Sequence, residues 1–129
     1  MNKLSALIID DNPLNLELIA YLLKNNNYDV TTANNANEAL TMLSQDCPQI
    51  ILLDLQLPDM DGVDLMRKLR ADKKYQDTLI IAITAKARKT DQEKAIEAGC
   101  DAYIIKPIDV YTLPDVIMMH FYKKKKNNS

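Results

Sequence analysis

The sequence predicts an α/β domain, a doubly wound parallel sheet of five strands with helices on both faces. Five strand-length segments rich in β-branched and apolar residues recur along the 129 residues, and stretches with helical spacing separate them. Strict alternation of this kind implies parallel pairing, because parallel strands need crossover connections and helices supply them. The unbroken run Ile80-Ile81-Ala82-Ile83 fits a strand covered on both sides.

Taken in order, the first strand is expected from Leu4 to Ile9, directly before Asp10 and Asp11. The first helix follows on the spacing of Leu14, Leu16, Ile19, Leu22 and Leu23, with Pro13 suited to its opening turn. A second strand over Tyr28–Thr32 leads to a helix marked by Ala36, Ala39, Leu40 and Leu43. The third strand, Gln49–Leu53, stops at Asp54 and is followed by a helix over Val63–Ala71. The fourth strand, Leu79–Thr84, precedes a helix over Thr90–Ala98 that Gly99 terminates. The fifth strand, Ala102–Ile105, runs into Lys106 and Pro107, and a last helix is expected over Val110–Tyr122 with Pro114 near its first turn. Lys123 to Ser129 reads as a basic, flexible tail, which leaves residues 1–122 as one domain. An anionic membrane or nucleic acid is the alternative use of its four lysines.

With 47% hydrophobic and 26% charged residues, the chain has the composition of a globular protein that folds without disulfides or structural metal. A net charge of −2 excludes a general basic footprint, so no DNA binding of its own is expected. Cys47 and Cys100 lack metal-ligand spacing and read as buried or half-buried free thiols of a reducing compartment. No apolar run reaches membrane-spanning length and no secretory leader is apparent, so a cytoplasmic location is expected.

In an open doubly wound sheet, functional groups gather beyond the carboxyl ends of the strands. There the sequence places Asp10 and Asp11, Asp54, Thr84 and Lys106 on four different strands. Three carboxylates brought together repel one another unless a cation neutralises them or some are protonated. Oxygen donors without His or Cys point to a hard ion, and Mg²⁺ fits a site of few carboxylates that also takes phosphate oxygens. A carboxylate can attack a phosphoryl group to form an acyl phosphate, a reaction that needs positioning and charge neutralisation above all. Lys106 would supply charge, and the Thr84 hydroxyl could bond a phosphoryl oxygen.

Four segments in order resemble the receiver domains of two-component response regulators. They are Ile8-Ile9-Asp10-Asp11-Asn12, the stretch Leu52 to Gly62 around Asp54, Thr84-Ala85, and Lys106-Pro107. The resemblance covers Leu4 to about Tyr122 and implies a flavodoxin-like (βα)5 sheet of strand order 2-1-3-4-5, the order given for such a protein as a standard example. It implies Asp54 as phosphoacceptor, Asp11 as a direct Mg²⁺ ligand, Asp10 holding a metal-bound water, and the Gln56 backbone carbonyl completing the protein ligands. Thr84 would bind the phosphoryl group, Lys106 would pair with it, and Tyr103 would be the aromatic switch. A cis peptide is expected between Lys106 and Pro107. Gln56 and Lys86 occupy positions that bear on how readily water reaches the acyl phosphate.

By the same resemblance the chain is a single-domain regulator of the chemotaxis or cell-cycle phosphorelay kind, or a receiver of a hybrid kinase. It would take phosphate from a histidine kinase or histidine phosphotransfer protein and present a changed surface to a downstream effector protein. It is expected to be a signalling domain with self-catalysed phosphotransfer and autodephosphorylation and not an enzyme, monomeric, with dimerisation on phosphorylation as the alternative. Three other readings fit less well. A phosphatase of the haloacid-dehalogenase type would need a second Asp where Gln56 stands. An FMN carrier would need a phosphate cradle where Asp11-Asn12-Pro13 offers acid and removes a donor. A phosphate-independent pseudo-receiver would have lost an acidic residue, Thr84 or Lys106. His120 is expected at the surface with no catalytic part, and Asp59, Asp61 and Gly62 read as turn chemistry, Gly62 supplying an unusual backbone angle.

Overall fold

A computed structural model describes residues 3–127 and contains five strands and five helices in strict alternation. The strands are β1 (Leu4–Ile9), β2 (Tyr28–Ala33), β3 (Ile50–Asp54), β4 (Leu79–Thr84) and β5 (Ala102–Ile105). The helices are α1 (Pro13–Asn25), α2 (Ala36–Leu43), α3 (Gly62–Arg70), α4 (Lys89–Ala98) and α5 (Leu113–Asn127). All strand pairs are parallel and the order is β2-β1-β3-β4-β5, as the resemblance implied.

Two apolar layers sandwich the sheet. Leu7, Ile9, Ile51, Leu53, Ile80 and Ala82 point to the face covered by α2, α3 and α4, where Ala39, Leu65, Met66 and Ala95 meet them. The alternate residues Ala6, Ile8, Leu52, Ile81 and Ile83 meet α1 and α5 through Ile19, Leu23, Leu113 and Ile117. This period of two explains why β3 and β4 read as continuous apolar runs: every residue of both strands is buried.

Side-chain caps set three helix starts. Asn12 Oδ1 accepts the N–H groups of Leu14 at 2.9 Å and Asn15 at 3.3 Å, Asn35 Oδ1 that of Glu38 at 2.7 Å, and Asp61 Oδ1 that of Val63 at 2.8 Å. Gly99 ends α4 in the left-handed region at φ 119°, where the Arg70 stem also lies against it.

Several boundaries differ from expectation. β2 extends one residue further and β3 lies one residue later, so Asp54 is the last residue of its strand. α3 starts and ends one residue early and α4 starts one residue early. The expected start of the fifth helix at Val110 is wrong, because Asp109 Oδ1 accepts the Tyr111 N–H at 3.0 Å and holds a turn there. Its expected end at Tyr122 is also wrong. Lys123 to Asn127 continue the helix, with Lys124 Nζ 2.8 Å from Asp101 Oδ1, while Asn128 and Ser129 lie outside the described residues. A 3-10 turn over Lys73–Tyr75 had no counterpart in the sequence reading. Gly62 has no unusual backbone angle; a Cβ there would stand 2.4 Å from Leu55 Cα, so close approach is what requires glycine.

At the amino end of the sheet, Arg70 gathers the loops. Its Nε donates to Gly99 O at 2.8 Å, one terminal nitrogen donates to Tyr75 O and Thr78 O at 2.6 and 2.9 Å, and the other to Asp101 Oδ2 at 2.7 Å. Asp101 Oδ2 also accepts the Ile80 N–H at 2.9 Å.

Candidate functional site

The opposite end of the sheet carries the predicted strand-end residues, and strand register brings them together. Ile9 pairs with Leu53, so Asp10 and Asp54 follow side by side, and Thr84 pairs with Ile105, so Lys106 emerges next to it. Backbone bonds continue the sheet into this region: Asp10 N–H to Ala33 O at 3.1 Å and Lys106 N–H to Thr84 O at 2.9 Å. The Lys106-Pro107 peptide is cis. Asp10, Asp54 and Thr84 are buried, whereas Asp11 is exposed and Lys106 half-buried.

One carboxylate oxygen each from Asp10, Asp11 and Asp54 lies within 4.8 Å of the others. Lys106 Nζ is 2.8 Å from Asp54 Oδ2 and 4.0 Å from Asp10 Oδ2. The remaining oxygens of the two buried acids are held by backbone, Asp10 Oδ1 by the Asn12 N–H and Asp54 Oδ1 by the Gln56 N–H, both at 2.9 Å. Desolvation pushes the Asp10 carboxyl above its ordinary range; Asp54 adds to this, while the Asn12 N–H and Lys106 oppose it. Burial disfavours the Lys106 charge, yet the hydrogen bond and charge of Asp54, with Asp10 and Asp11 behind it, raise the ammonium above its ordinary value.

Three carboxylates thus face one ammonium, which leaves the cluster short of positive charge. Its donors are all oxygens, with no imidazole or thiol among them, so the residues fit a hard divalent ion such as Mg²⁺.

Thr84 ends β4, Tyr103 lies inside β5, and their side chains meet at one residue. Thr84 Oγ1 accepts the Lys86 N–H at 3.1 Å, and the Tyr103 hydroxyl donates to the Lys86 carbonyl. The Tyr103 ring lies half-buried against the layer of α3 and α4, and burial, then the nearby Asp91, raises its phenol above the ordinary value. Gln56 is exposed on the loop between β3 and α3, bridged to Asp61.

Asp59 does more than turn chemistry. Its two oxygens accept the N–H groups of Ala36 and Asn37, each at 2.9 Å, at the start of α2. No local pattern announces a bond across so many residues; the one available signal is an acid in a loop whose own turn residues are already supplied by Pro58 and Asp61. Cys47 is exposed, correcting the expectation of burial, because it lies in the loop before β3. Cys100 is buried, and burial, then Asp101, pushes its thiol up to about 11. His120, expected at the surface, is half-buried on α5 beside Asp101 and Lys123, at the end of the sheet opposite Asp10, Asp11 and Asp54.

Residues 6–118 match the family model described as the response regulator receiver domain. The polar-differentiation response regulator DivK of Brucella anthropi is 38% identical over 106 residues, spanning 82% of this chain and 86% of the relative. That of Brucella ovis is 37% identical over the same spans. Among solved structures, a CheY-like receiver domain protein of Methanospirillum hungatei superposes with a TM-score of 0.88 at 28% identity, over 97% of this chain and 98% of that one. A chemotaxis response regulator of Vibrio cholerae has a TM-score of 0.87 at 22% identity, over 92% and 98%, and shows the fold alone. No helix among the described residues is long and apolar enough to cross a membrane.

Proposed function

The chain belongs to the response regulator receiver domain family of two-component signalling, and on that premise we propose that it is a cytoplasmic, monomeric regulator phosphorylated on Asp54. The observation that carries this reading is the ammonium of Lys106 at 2.8 Å from the Asp54 carboxylate, beside Asp10 and Asp11. A nucleophilic acid is here buried, aimed by backbone, and matched with the cation that would otherwise pair with a phosphoryl oxygen.

The donor is a phosphohistidine of a histidine kinase or phosphotransfer protein. An Asp54 oxygen attacks phosphorus, the phosphorus–nitrogen bond breaks, and the imidazole leaves with its electron pair and takes a proton. The Gln56 N–H on Oδ1 fixes the carboxylate plane during the attack. Lys106 leaves its ion pair with Asp54 for the incoming phosphoryl oxygens, so its charge is retained where negative charge gathers. Asp11, Asp54 and the Gln56 carbonyl would hold Mg²⁺ directly and Asp10 through water; when bound, the ion neutralises phosphoryl charge. Thr84 would exchange its bond from Lys86 for one to the phosphoryl group. Because Tyr103 holds the same Lys86, that exchange reaches the surface of α4, β5 and α5, where a downstream effector would read it.

The test is intact-protein mass after incubation with acetyl phosphate, with and without Mg²⁺, on wild type and Asp54→Asn. A Mg²⁺-dependent gain of one phosphoryl group that the variant lacks supports the reading; no gain in the wild type overturns it in favour of a phosphate-independent interaction module.

A further inference from the structure

The loop between β3 and α3 carries Gln56, and two hydrogen bonds hold its base. The Gln56 N–H reaches Asp54, and the Gly62 N–H reaches Leu55 O at 3.0 Å, which sets Gln56 opposite Asp61. Leu57 and Met60 seat the loop on the apolar layer below. None of these fixes it sideways. Asp59 does, by placing one oxygen on each of the first two N–H groups of α2 at 2.9 Å. The start of α2 already has its own cap in Asn35, so this second acceptor is not needed to begin the helix. In the sheet β1 lies between β2 and β3, so the tie runs from the β3 loop across to the segment after β2, past the end of β1 where Asp10 and Asp11 follow. The two backbone donors and the start of a helix also favour the ionised carboxylate, whose titration is drawn below its ordinary value first by Ala36 and then by Asn37.

We infer that Asp59 is a positioning residue for the metal centre: by clamping the start of α2 it holds in place the β3–α3 loop, and with it the Gln56 carbonyl proposed above as a ligand, beside the cluster of Asp10, Asp11 and Asp54. The inference rests on the Mg²⁺ site proposed above. Partners that orient metal ligands at one remove typically matter about 10- to 100-fold in affinity, and this one acts through a backbone loop, so the low end applies.

The experiment is a Mg²⁺ titration followed by amide shifts of Asp10, Asp11 and Gln56 in wild type, Asp59→Ala, Asp59→Asn and Asn35→Ala, each also unfolded in urea. Asp59→Ala should bind Mg²⁺ about tenfold more weakly, and Asp59→Asn, which keeps one acceptor oxygen, should fall between it and wild type. Asn35→Ala removes the other cap of the same helix and should lose stability while keeping wild-type affinity. The difference should persist in high salt, where a distant charge effect would be screened. Equal affinity in Asp59→Ala and wild type, an equal loss in Asn35→Ala, or a difference that vanishes in high salt would each overturn the inference alone. A wild type without a saturable Mg²⁺ response would overturn the metal-site reading and this inference with it.

Discussion

The two ends of the sheet both place charged side chains where strands meet loops, and they do so in opposite ways. At the amino end, Arg70 donates to three carbonyls and to Asp101, and Asp101 is shared with Lys124 and the Ile80 N–H. Each charged group there has its partners, Arg70 and Lys124 sharing the Asp101 carboxylate while backbone carbonyls take the other guanidinium donors, and the group binds α3, β4, β5 and α5 together. At the carboxyl end three acids face Lys106 alone, and two of the three are buried. One end is a fastening; the other holds unbalanced charge that only an added cation or a proton relieves. Sites that do chemistry commonly carry such a cost in stability.

The contrast breaks most directly at Arg70. Arg70→Met should cost about 3 kcal/mol, because several carbonyls and a half-buried carboxylate lose their partner at once; the urea midpoint reads it, and Mg²⁺ should not restore it. Next in size is the ion itself. Mg²⁺ at about a hundredfold excess over its dissociation constant should stabilise the wild type by about 2.7 kcal/mol, and Asp11→Ala should lose most of that gain. A thermal melt with and without Mg²⁺ decides.

Smaller, and opposite in sign to an ordinary core substitution, is Asp10→Asn. It keeps the oxygen that accepts the Asn12 N–H and removes one of the crowded charges, so without divalent ions it should stabilise by about 1 kcal/mol. The pH dependence follows. Desolvation and then Asp54 raise the Asp10 carboxyl, so the folded chain keeps that proton to higher pH than the unfolded one. Stability from this group is therefore greatest below the ordinary carboxylate range and falls as pH climbs through the raised value. Asp10→Asn should flatten that part of the stability curve, whereas Lys106, raised above its ordinary value chiefly by the Asp54 hydrogen bond against the pull of burial, contributes stability lost only at more alkaline pH.

How much of this was legible in the chain follows the same division. The carboxyl end was readable because each functional residue immediately follows or closes an apolar run, so Asp10, Asp54, Thr84 and Lys106 declared themselves by position. The amino-end network was not, since Arg70 lies on a helix and Asp101 follows a helix-ending turn, and neither position marks a charge for long-range pairing. Asp59 was missed as a tether for the same reason. The start of α5 was misplaced because apolar Val110 and Tyr111 suit a helix, while the turn made by Asp109 competes with one through a single hydrogen bond. The lysines after Tyr122 read as a tail because like charges in series favour solvent; Lys124 is tied back to Asp101, a residue no local pattern connects to it.

That last pairing gives the smallest effect and the finest test of the comparison. Lys124 Nζ stands 2.8 Å from Asp101, and both side chains keep only about a fifth of their exposure, 17% and 22%. If the amino end is one fastening, its rim should be worth little by itself, because Asp101 keeps Arg70 and the Ile80 N–H when Lys124 is gone. Lys124→Met, which retains the stem against the fold, should therefore cost no more than about 0.5 kcal/mol in global stability. Its effect should be local instead: amide exchange over residues 123–127 should quicken, while β4, β5 and the Mg²⁺ affinity of the opposite end stay as in the wild type. A loss approaching that of Arg70→Met would mean that the helix end is an integral part of the network, and that the two ends of the sheet differ less in how they carry charge than their hydrogen bonds suggest.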